Sequence, residues 1–250
     1  MNEQTPERVS TGLYHLDGLL GGGLPTQSLV VLAGVPGAGK SVLAFHMLAE
    51  AVAQGQNAML VTTTHQPVSK LRSQYSSLNF LSRNDVMDRL EVLELQAGVQ
   101  DATMVTLLNT IVGRLQEGEV GVAAIDSFRA ISDLAPNRSQ IWRFLGALSA
   151  QLVGHGCTCL LLGEYQLPTD LNLPEMAVAD VIIYLEVERL TASDLRTLRI
   201  YKMRGGKYTP GRQAFDIDDE GIHFLGDSVE EVLSRDSATE GLYGIVPDLP

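Results

Sequence analysis

The chain has 250 residues, with 18 basic and 30 acidic side chains and a formal net charge of −12, so its length fits one domain or at most two. Hydrophobic residues make up 45% of the sequence and charged residues 19%, a composition that supports a sizeable core and excludes a globally disordered chain. The acidic balance disfavours a protein that coats nucleic acid, and DNA is therefore an unfavoured partner, although a local basic patch stays compatible with this charge.

The cysteine content, the N-terminal residues and the short apolar runs indicate in which cellular compartment the protein is expected. Cys157 and Cys159 are the only cysteines, too few for a disulfide framework, which favours a reducing compartment. The first ten residues are polar and charged, unlike a signal peptide. Apolar runs such as 28–34 and 181–185 are far shorter than the ~20 residues of a membrane helix. We therefore expect a cytoplasmic protein without a membrane-spanning segment.

The first predicted element follows a polar N-terminus, residues 1–9, that we expect to be flexible. Leu13, Leu16 and Leu19 fall at helical spacing, and a hydroxyl from Ser10 or Thr11 is in place to cap that helix. Three consecutive glycines, 21–23, end it.

Beyond the glycines the chain alternates between short apolar runs and amphipathic stretches, the pattern of an α/β fold with a mainly parallel sheet. The last four strand-like runs have no helix between them, which predicts an antiparallel C-terminal extension, and the turn at 218–221 predicts a hairpin. Residues 227–250 are acidic and aperiodic and are interpreted as a tail. The predicted strands are 28–34, 58–63, 89–95, 120–125, 158–162, 181–187, 195–203, 213–217 and 221–225, and the predicted helices are 42–53, 68–81, 102–115 and 138–153.

The strongest functional signal is the sequence GVPGAGKS, which matches the phosphate-loop pattern G-x-x-x-x-G-K-[ST] in full. The glycines let the backbone turn its N–H groups towards phosphate oxygens, and the following helix adds the positive end of its dipole. A chance match in a chain with 24 glycines is disfavoured, because a strand leads into the motif and an amphipathic helix leads out. In a bound Mg·ATP, the lysine would reach the β- and γ-phosphates and the serine hydroxyl would ligate Mg²⁺. The predicted nucleotide-binding residues are Gly34, Val35, Pro36, Gly37, Ala38, Gly39, Lys40 and Ser41.

A second metal ligand is predicted at Asp126, which ends the apolar run 122–125. An aspartate at the carboxyl end of a central parallel strand lies where open α/β sheets bind ligands. Capping of the next turn is the alternative role. With the phosphate loop upstream, the sequence favours Mg²⁺ binding by Ser41 and Asp126.

Four stretches in this order, TGLYHLDGLLGGGLP, LAGVPGAGKS, AAIDS and YKMRGGKY, resemble the KaiC-like branch of the RecA-type P-loop ATPase superfamily. The resemblance covers residues 10–226 and implies a RecA-like P-loop NTPase core with one such domain, where KaiC has two. It also implies a ring-type homo-oligomer, a hexamer in the family, with ATP between subunits.

By that resemblance, Lys202 and Arg204 match the pair that reaches the ATP phosphates of the neighbouring subunit. Alternate residues on a strand share a face, so the two side chains are expected to project together. A solvated basic pair on an edge strand is the alternative.

The sequence departs from the family pattern after the second core strand, where a pair of glutamates commonly polarises the attacking water. Thr64 and His65 occupy those positions, followed by Gln66. His65 as a base, Gln66 as a water-orienting group and Glu164 at the end of the strand 158–162 are the candidate replacements. The expected activity is therefore weak ATP hydrolysis. Gln27, where the family usually has glycine, is expected to alter only a turn.

Three function classes stay open on the sequence. A nucleotide-dependent oligomer in signalling or regulation, with an unidentified protein partner, fits best. A RadA/RecA-like DNA-binding ATPase would need basic loops, yet the candidate loop 132–138 offers Arg138 beside Asp133. A non-hydrolysing ATP-binding scaffold is favoured by the missing glutamates.

Overall fold

The structure is a computed structural model that describes residues 7–63, 70, 73, 75, 77–82, 86–94, 104–118, 120–133, 135–189 and 194–229. Within these ranges strands and helices alternate along the chain up to the last four strands. The helices are α1 (Tyr14–Leu19), α2 (Lys40–Ala53), α3 (Asn79–Ser82), α4 (Val86–Arg89), α5 (Met104–Glu117), α6 (Phe128–Asp133), α7 (Arg138–His155) and α8 (Pro174–Val178), with a 3-10 turn at Thr169–Asn172. The strands are β1 (Arg8–Val9), β2 (Leu24–Pro25), β3 (Leu29–Gly34), β4 (Asn57–Thr62), β5 (Leu90–Glu94), β6 (Val120–Asp126), β7 (Thr158–Glu164), β8 (Val181–Arg189), β9 (Asp194–Met203), β10 (Arg212–Asp218) and β11 (Gly221–Ser228).

The described strands β3 to β11 form one sheet in the order β11-β10-β9-β8-β3-β7-β6-β4-β5. The six strands from β8 to β5 in this order pair in parallel. β9, β10 and β11 extend the sheet in antiparallel pairs, and β10 and β11 form the predicted hairpin. The predicted α/β fold, with a mainly parallel sheet and an antiparallel C-terminal extension, is confirmed.

Helices cover both faces of the sheet because the parallel strands are apolar on both sides. Successive residues of β3 show this: Val30 and Leu32 pack in the core with α2, whereas Val31 and Ala33 pack in the core with α5 and α7. β3 is buried along its whole length. The strand that leads into the phosphate loop is therefore fixed on both sides.

Some local predictions were wrong or lie outside the described residues. The Ser10 and Thr11 hydroxyls do not cap α1; both donate to the Asp17 carboxylate, at 2.8 and 2.7 Å, and α1 begins without a side-chain cap. α6 and α8 were not predicted, because helices of five or six residues carry too short a period to detect. Six of the fourteen residues of the predicted helix 68–81 lie outside the described residues, and the described residues 77 and 78 are not helical and precede α3. The predicted limits of the ATP-binding domain stay a prediction.

Two residues noted in the sequence have defined environments. Gln27 adopts a φ of 58°, a left-handed conformation that costs a non-glycine residue roughly 1–2 kcal/mol. This explains why glycine suits that position. Cys157 and Cys159 are free and buried, and burial raises the pKa of both thiols, that of Cys157 to about 12. Neither thiol is set up as a nucleophile.

The hairpin β10–β11 packs against α2 through His46. The Ile222 N–H donates to His46 Nε2 at 3.0 Å, and the imidazole stacks on Phe80 with ring centroids 4.0 Å apart. A β-carbon at Gly221 would collide with the His46 ring, so the turn residue must be glycine. His46 therefore joins the hairpin to the helix that begins at the phosphate loop.

His46 predicts a loss of stability in acid. Burial, and secondarily the nearby His223, lowers the pKa of His46 from 6.5 to about 4. Because the unfolded chain takes up the proton first, the stability contribution is complete above pH 6.5 and is lost as pH falls towards 4, by about 3 kcal/mol. In His46→Gln the amide oxygen keeps the acceptor and does not titrate, so this part of the loss should vanish.

The measurement is urea unfolding at pH 7 and pH 4.5 for the wild type and His46→Gln. His155→Gln, at an exposed histidine that ends α7, is the control and should lose stability as the wild type does. Equal losses in the wild type and His46→Gln would contradict the assignment.

Candidate functional site

The phosphate-loop sequence lies between β3 and α2, at the carboxyl edge of the parallel strands. Gly34, Gly37 and Gly39 have φ values of 156°, 75° and 99°, which side-chain-bearing residues rarely adopt. A β-carbon at Gly34 would collide with the Leu185 carbonyl, and one at Gly39 would lie 2.6 Å from Ile217 Cδ1. The glycines are therefore required by backbone shape and by close neighbours.

Lys40 begins α2 and turns its side chain back over the loop. Its Nζ donates to the Gly34 carbonyl at 3.1 Å and to the Val35 carbonyl at 2.8 Å. Burial lowers the pKa of Lys40, while the charges of Glu164 and Asp126 act in the opposite direction. The ammonium group thus lies above the loop and is hydrogen-bonded to two of its carbonyls.

Ser41 and Asp126 lie together, as the predicted metal pair requires. The Ser41 hydroxyl donates to Asp126 Oδ2 at 2.8 Å, which joins the start of α2 to the end of β6. Burial raises the pKa of Asp126, and Ser41 and Lys40 oppose that rise. Both groups offer the hard oxygen atoms that Mg²⁺ prefers, so this pair fits the metal that the sequence implies.

Tyr75 is a neighbour of this pair that the sequence analysis missed. Its ring packs on Phe45 with centroids 4.4 Å apart, and burial raises its pKa, an effect that the Ser41 side chain opposes. Tyr75 is about 35 residues from the loop in sequence, and no local motif marks it. Only the packing of its segment against α2 brings it to the site.

The candidate catalytic positions are divided between described and undescribed residues. Thr64, His65 and Gln66 lie outside the described residues. Thr63 precedes them and lies beside Asp126: its N–H donates to the Asp126 carbonyl at 2.9 Å, and its hydroxyl accepts from the Ser127 N–H at 3.0 Å. Glu164 ends β7, level with Gly34 and exposed, and its charge acts on Lys40.

Lys202 and Arg204 lie together, beside the amino ends of the parallel strands and opposite the phosphate-loop sequence. Lys202 Nζ donates to the Met176 and Ala177 carbonyls, both at 3.0 Å, and Arg204 donates to the Ala177 and Val178 carbonyls at 2.8 and 3.2 Å. The Arg204 N–H donates to the Asp180 carbonyl, and Asp180 Oδ2 accepts from the Leu29 N–H.

This arrangement places the pair at the start of β3, while the loop follows its end. The strand from Leu29 to Gly34 spans five residue steps of about 3.3 Å, which separates Arg204 from its own loop by roughly 16 Å.

No helix in the described part of the chain has the length and apolar character needed to cross a membrane. Within the same ranges, histidine, cysteine and acidic side chains form no group of three that would hold a metal ion by itself.

Comparisons with known proteins agree with this geometry. The chain is 28% identical over 232 residues to a UPF0273 protein of Methanopyrus kandleri, covering 86% of this chain and 91% of that protein. It is 25% identical over 227 residues to the circadian clock oscillator protein KaiC of Rippkaea orientalis, covering 86% of this chain and 41% of that protein. A crystal structure of a KaiC-like protein from Pyrococcus horikoshii matches the fold with a TM-score of 0.73 and 22% identity, covering 88% of this chain and all of that one.

The family model described as "ATPase: KaiC" matches residues 9–229, which include the phosphate loop, Asp126 and the C-terminal hairpin. Membership of an ATPase family supports nucleotide binding. By this match and by its fold, the chain belongs to the KaiC family of RecA-type ATPases.

Proposed function

We propose that this protein binds ATP and Mg²⁺ at sites shared between protomers, hydrolyses ATP slowly, and works as a nucleotide-dependent oligomer in signalling or regulation. The partner that reads its state would be a protein, and DNA is disfavoured by the net charge of −12. A ring-type homo-oligomer, a hexamer by the family resemblance, is the proposed assembly.

The observation that carries this proposal is the separation of the basic pair from the phosphate loop. Lys202 and Arg204 are about 16 Å from the loop of their own chain, too far to contact phosphates bound there. Arg204 is nevertheless accessible, with 55% of its side chain exposed. A neighbouring protomer that presents its loop to this edge would receive two cations.

The proposed binding roles follow from the geometry of the loop. Backbone N–H groups of residues 39–41, at the N-cap and start of α2, would donate to phosphate oxygens, because the first N–H groups of a helix have no partner within it. Lys40 would exchange its two carbonyl acceptors for phosphate oxygens. Ser41 and Asp126 would hold Mg²⁺, which neutralises charge on the phosphates.

Slow hydrolysis is proposed because the family's water-polarising glutamates are absent. Positioned acid–base groups contribute about 10²- to 10⁴-fold, whereas phosphate stabilisation by Lys40 and Mg²⁺ would remain. Glu164, whose charge reaches Lys40, is the carboxylate among the described residues that would substitute in part. A non-hydrolysing scaffold is the alternative, and single-turnover hydrolysis separates the two.

The assembly is tested with Arg204→Ala. ATP should increase the mass of the wild type by light scattering, and Arg204→Ala should weaken this assembly at least tenfold, because bidentate contacts to a phosphate are lost. The variant should stay folded, since an exposed arginine contributes little to stability. Arg138→Ala, at an exposed arginine at the start of α7, is the control. The same mass with and without saturating ATP in the wild type would contradict the proposal.

A further inference from the structure

The connection from β7 to β8 crosses the sheet from the phosphate-loop edge to the edge that carries Lys202 and Arg204. It begins at Tyr165, whose N–H donates to the Gly34 carbonyl at 3.4 Å, and it contains the 3-10 turn and α8. Gly34 is also the residue whose carbonyl accepts from Lys40. The two edges of the sheet are thus joined through one short segment.

A buried hydrogen bond joins the two ends of this segment. The Tyr165 side chain is 2% exposed, and its hydroxyl donates to Glu175 Oε1 at 2.9 Å. Glu175 lies on α8 and is 1% exposed. Burial, followed by the Glu175 charge, raises the pKa of Tyr165, so the tyrosine stays protonated and remains a donor. Arg129 covers the other side of the ring, 5.3 Å from its centroid.

The buried carboxyl group of Glu175 lowers the stability of the fold relative to an apolar side chain of similar shape. Glu175 Oε2 is buried and has no hydrogen-bond partner among the described residues. An unpartnered buried polar atom costs free energy, and replacing both members of a buried pair by apolar groups of similar shape is often nearly neutral. Core packing alone therefore does not account for the Tyr165–Glu175 pair.

α8 also binds the side chains of Lys202 and Arg204. The carbonyls of Met176, Ala177 and Val178 accept all four of the hydrogen bonds described above for Lys202 and Arg204. A helix of five residues has little stability of its own, so its position depends on the side chains that anchor it. Glu175 is the polar anchor among them, and Tyr165 is its donor.

We propose that Tyr165 and Glu175 are positioning residues that fix α8, and through its carbonyls fix Lys202 and Arg204 in place for the nucleotide of a neighbouring protomer. This inference rests on the proposed sharing of the ATP site between protomers. In this proposal the pair acts through the two cations and not by contact with the nucleotide.

The test uses two variants, each lacking one half of the proposed site, so that a whole site forms only at an interface between them. A donor, Lys40→Ala, has no working phosphate loop but keeps both cations. A recipient, Lys202→Ala/Arg204→Ala, keeps the loop but lacks the cations. With Mg·ATP, neither should self-associate strongly, whereas the mixture should form heterodimers, measured by sedimentation with one component labelled.

The donor is then made with Tyr165→Phe/Glu175→Met, which removes the bond and leaves no unpaired carboxylate. Heterodimer affinity should fall at least tenfold, while the urea concentration at the midpoint of donor unfolding stays nearly the same. A donor with Glu175→Gln alone keeps Tyr165 and an acceptor for its hydroxyl, so its affinity for the recipient should match that of the unmodified donor. The same two substitutions placed in the recipient, whose cations are already absent, should change nothing.

Each outcome is decisive. Without heterodimers from the unmodified donor and recipient, the shared site is wrong and the inference fails with it. Heterodimers that are unaffected by the donor substitutions would overturn the inference and leave the shared site standing. Equal losses from donor and recipient placement would also overturn it, because they would assign the pair a general structural role.

Discussion

Lys40→Ala is expected to remove most of the stabilisation that Mg·ATP gives to the folded protein. A ligand that binds only the folded state raises the unfolding free energy by mass action, by about 2.7 kcal/mol at a concentration one hundred times Kd. Lys40 Nζ lies over the loop and donates to two carbonyls that a phosphate would replace. Its loss should therefore reduce the Mg·ATP shift to a small fraction.

The measurement is thermal or urea unfolding with and without Mg·ATP. Without ligand, Lys40→Ala should be about as stable as the wild type or slightly more so, because burial of the ammonium is unfavourable and lowers its pKa. Lys207→Ala, at an exposed lysine near the end of the YKMRGGK stretch, removes the same charge and should keep the full shift. A full shift in Lys40→Ala would show that the nucleotide binds elsewhere.

Restoring carboxylates with Thr64→Glu and His65→Glu together is expected to speed hydrolysis by about 10²- to 10⁴-fold, the contribution of a positioned acid–base group. Neither Thr64 nor His65 carries the carboxylate that a glutamate would supply at these positions. Binding of ATP should change little or loosen slightly, because the added charges repel the γ-phosphate. Single-turnover hydrolysis and the ATP Kd are measured together.

The matched control is Thr64→Gln/His65→Gln, which has the same side-chain shape as the glutamates but no charge, and it should stay slow. A different result is equally informative. If the wild type already hydrolyses ATP at the rate of a working motor and Glu164→Gln abolishes it, the base is Glu164 and the proposal of weak hydrolysis is wrong.

The fold was predictable because its signals are local and repeated. Apolar runs such as 28–34 and 120–125 are buried on both faces, and such runs between amphipathic helices indicate a parallel sheet. The prediction failed where the signal was short or non-periodic. α6 and α8 have too few residues for a period, and the Ser10 and Thr11 hydroxyls found Asp17 as a stronger acceptor than a helix N–H.

The sequence by itself predicted the glycine-rich loop between β3 and α2. Its glycines, lysine and serine lie within one short stretch, and the glycines permit the positive φ values that the loop adopts. It also indicated Asp126, because a carboxylate at the end of a buried strand reaches the ligand edge of a parallel sheet.

Only the tertiary structure decided which distant residues meet. Tyr75 packs on Phe45 in α2, Glu175 accepts from Tyr165, and Lys202 and Arg204 donate to the carbonyls of α8. It also decided that the basic pair lies at the opposite edge of the sheet from the loop. The physical reason is that strand order and crossover packing set these contacts, and no spacing along the chain encodes them.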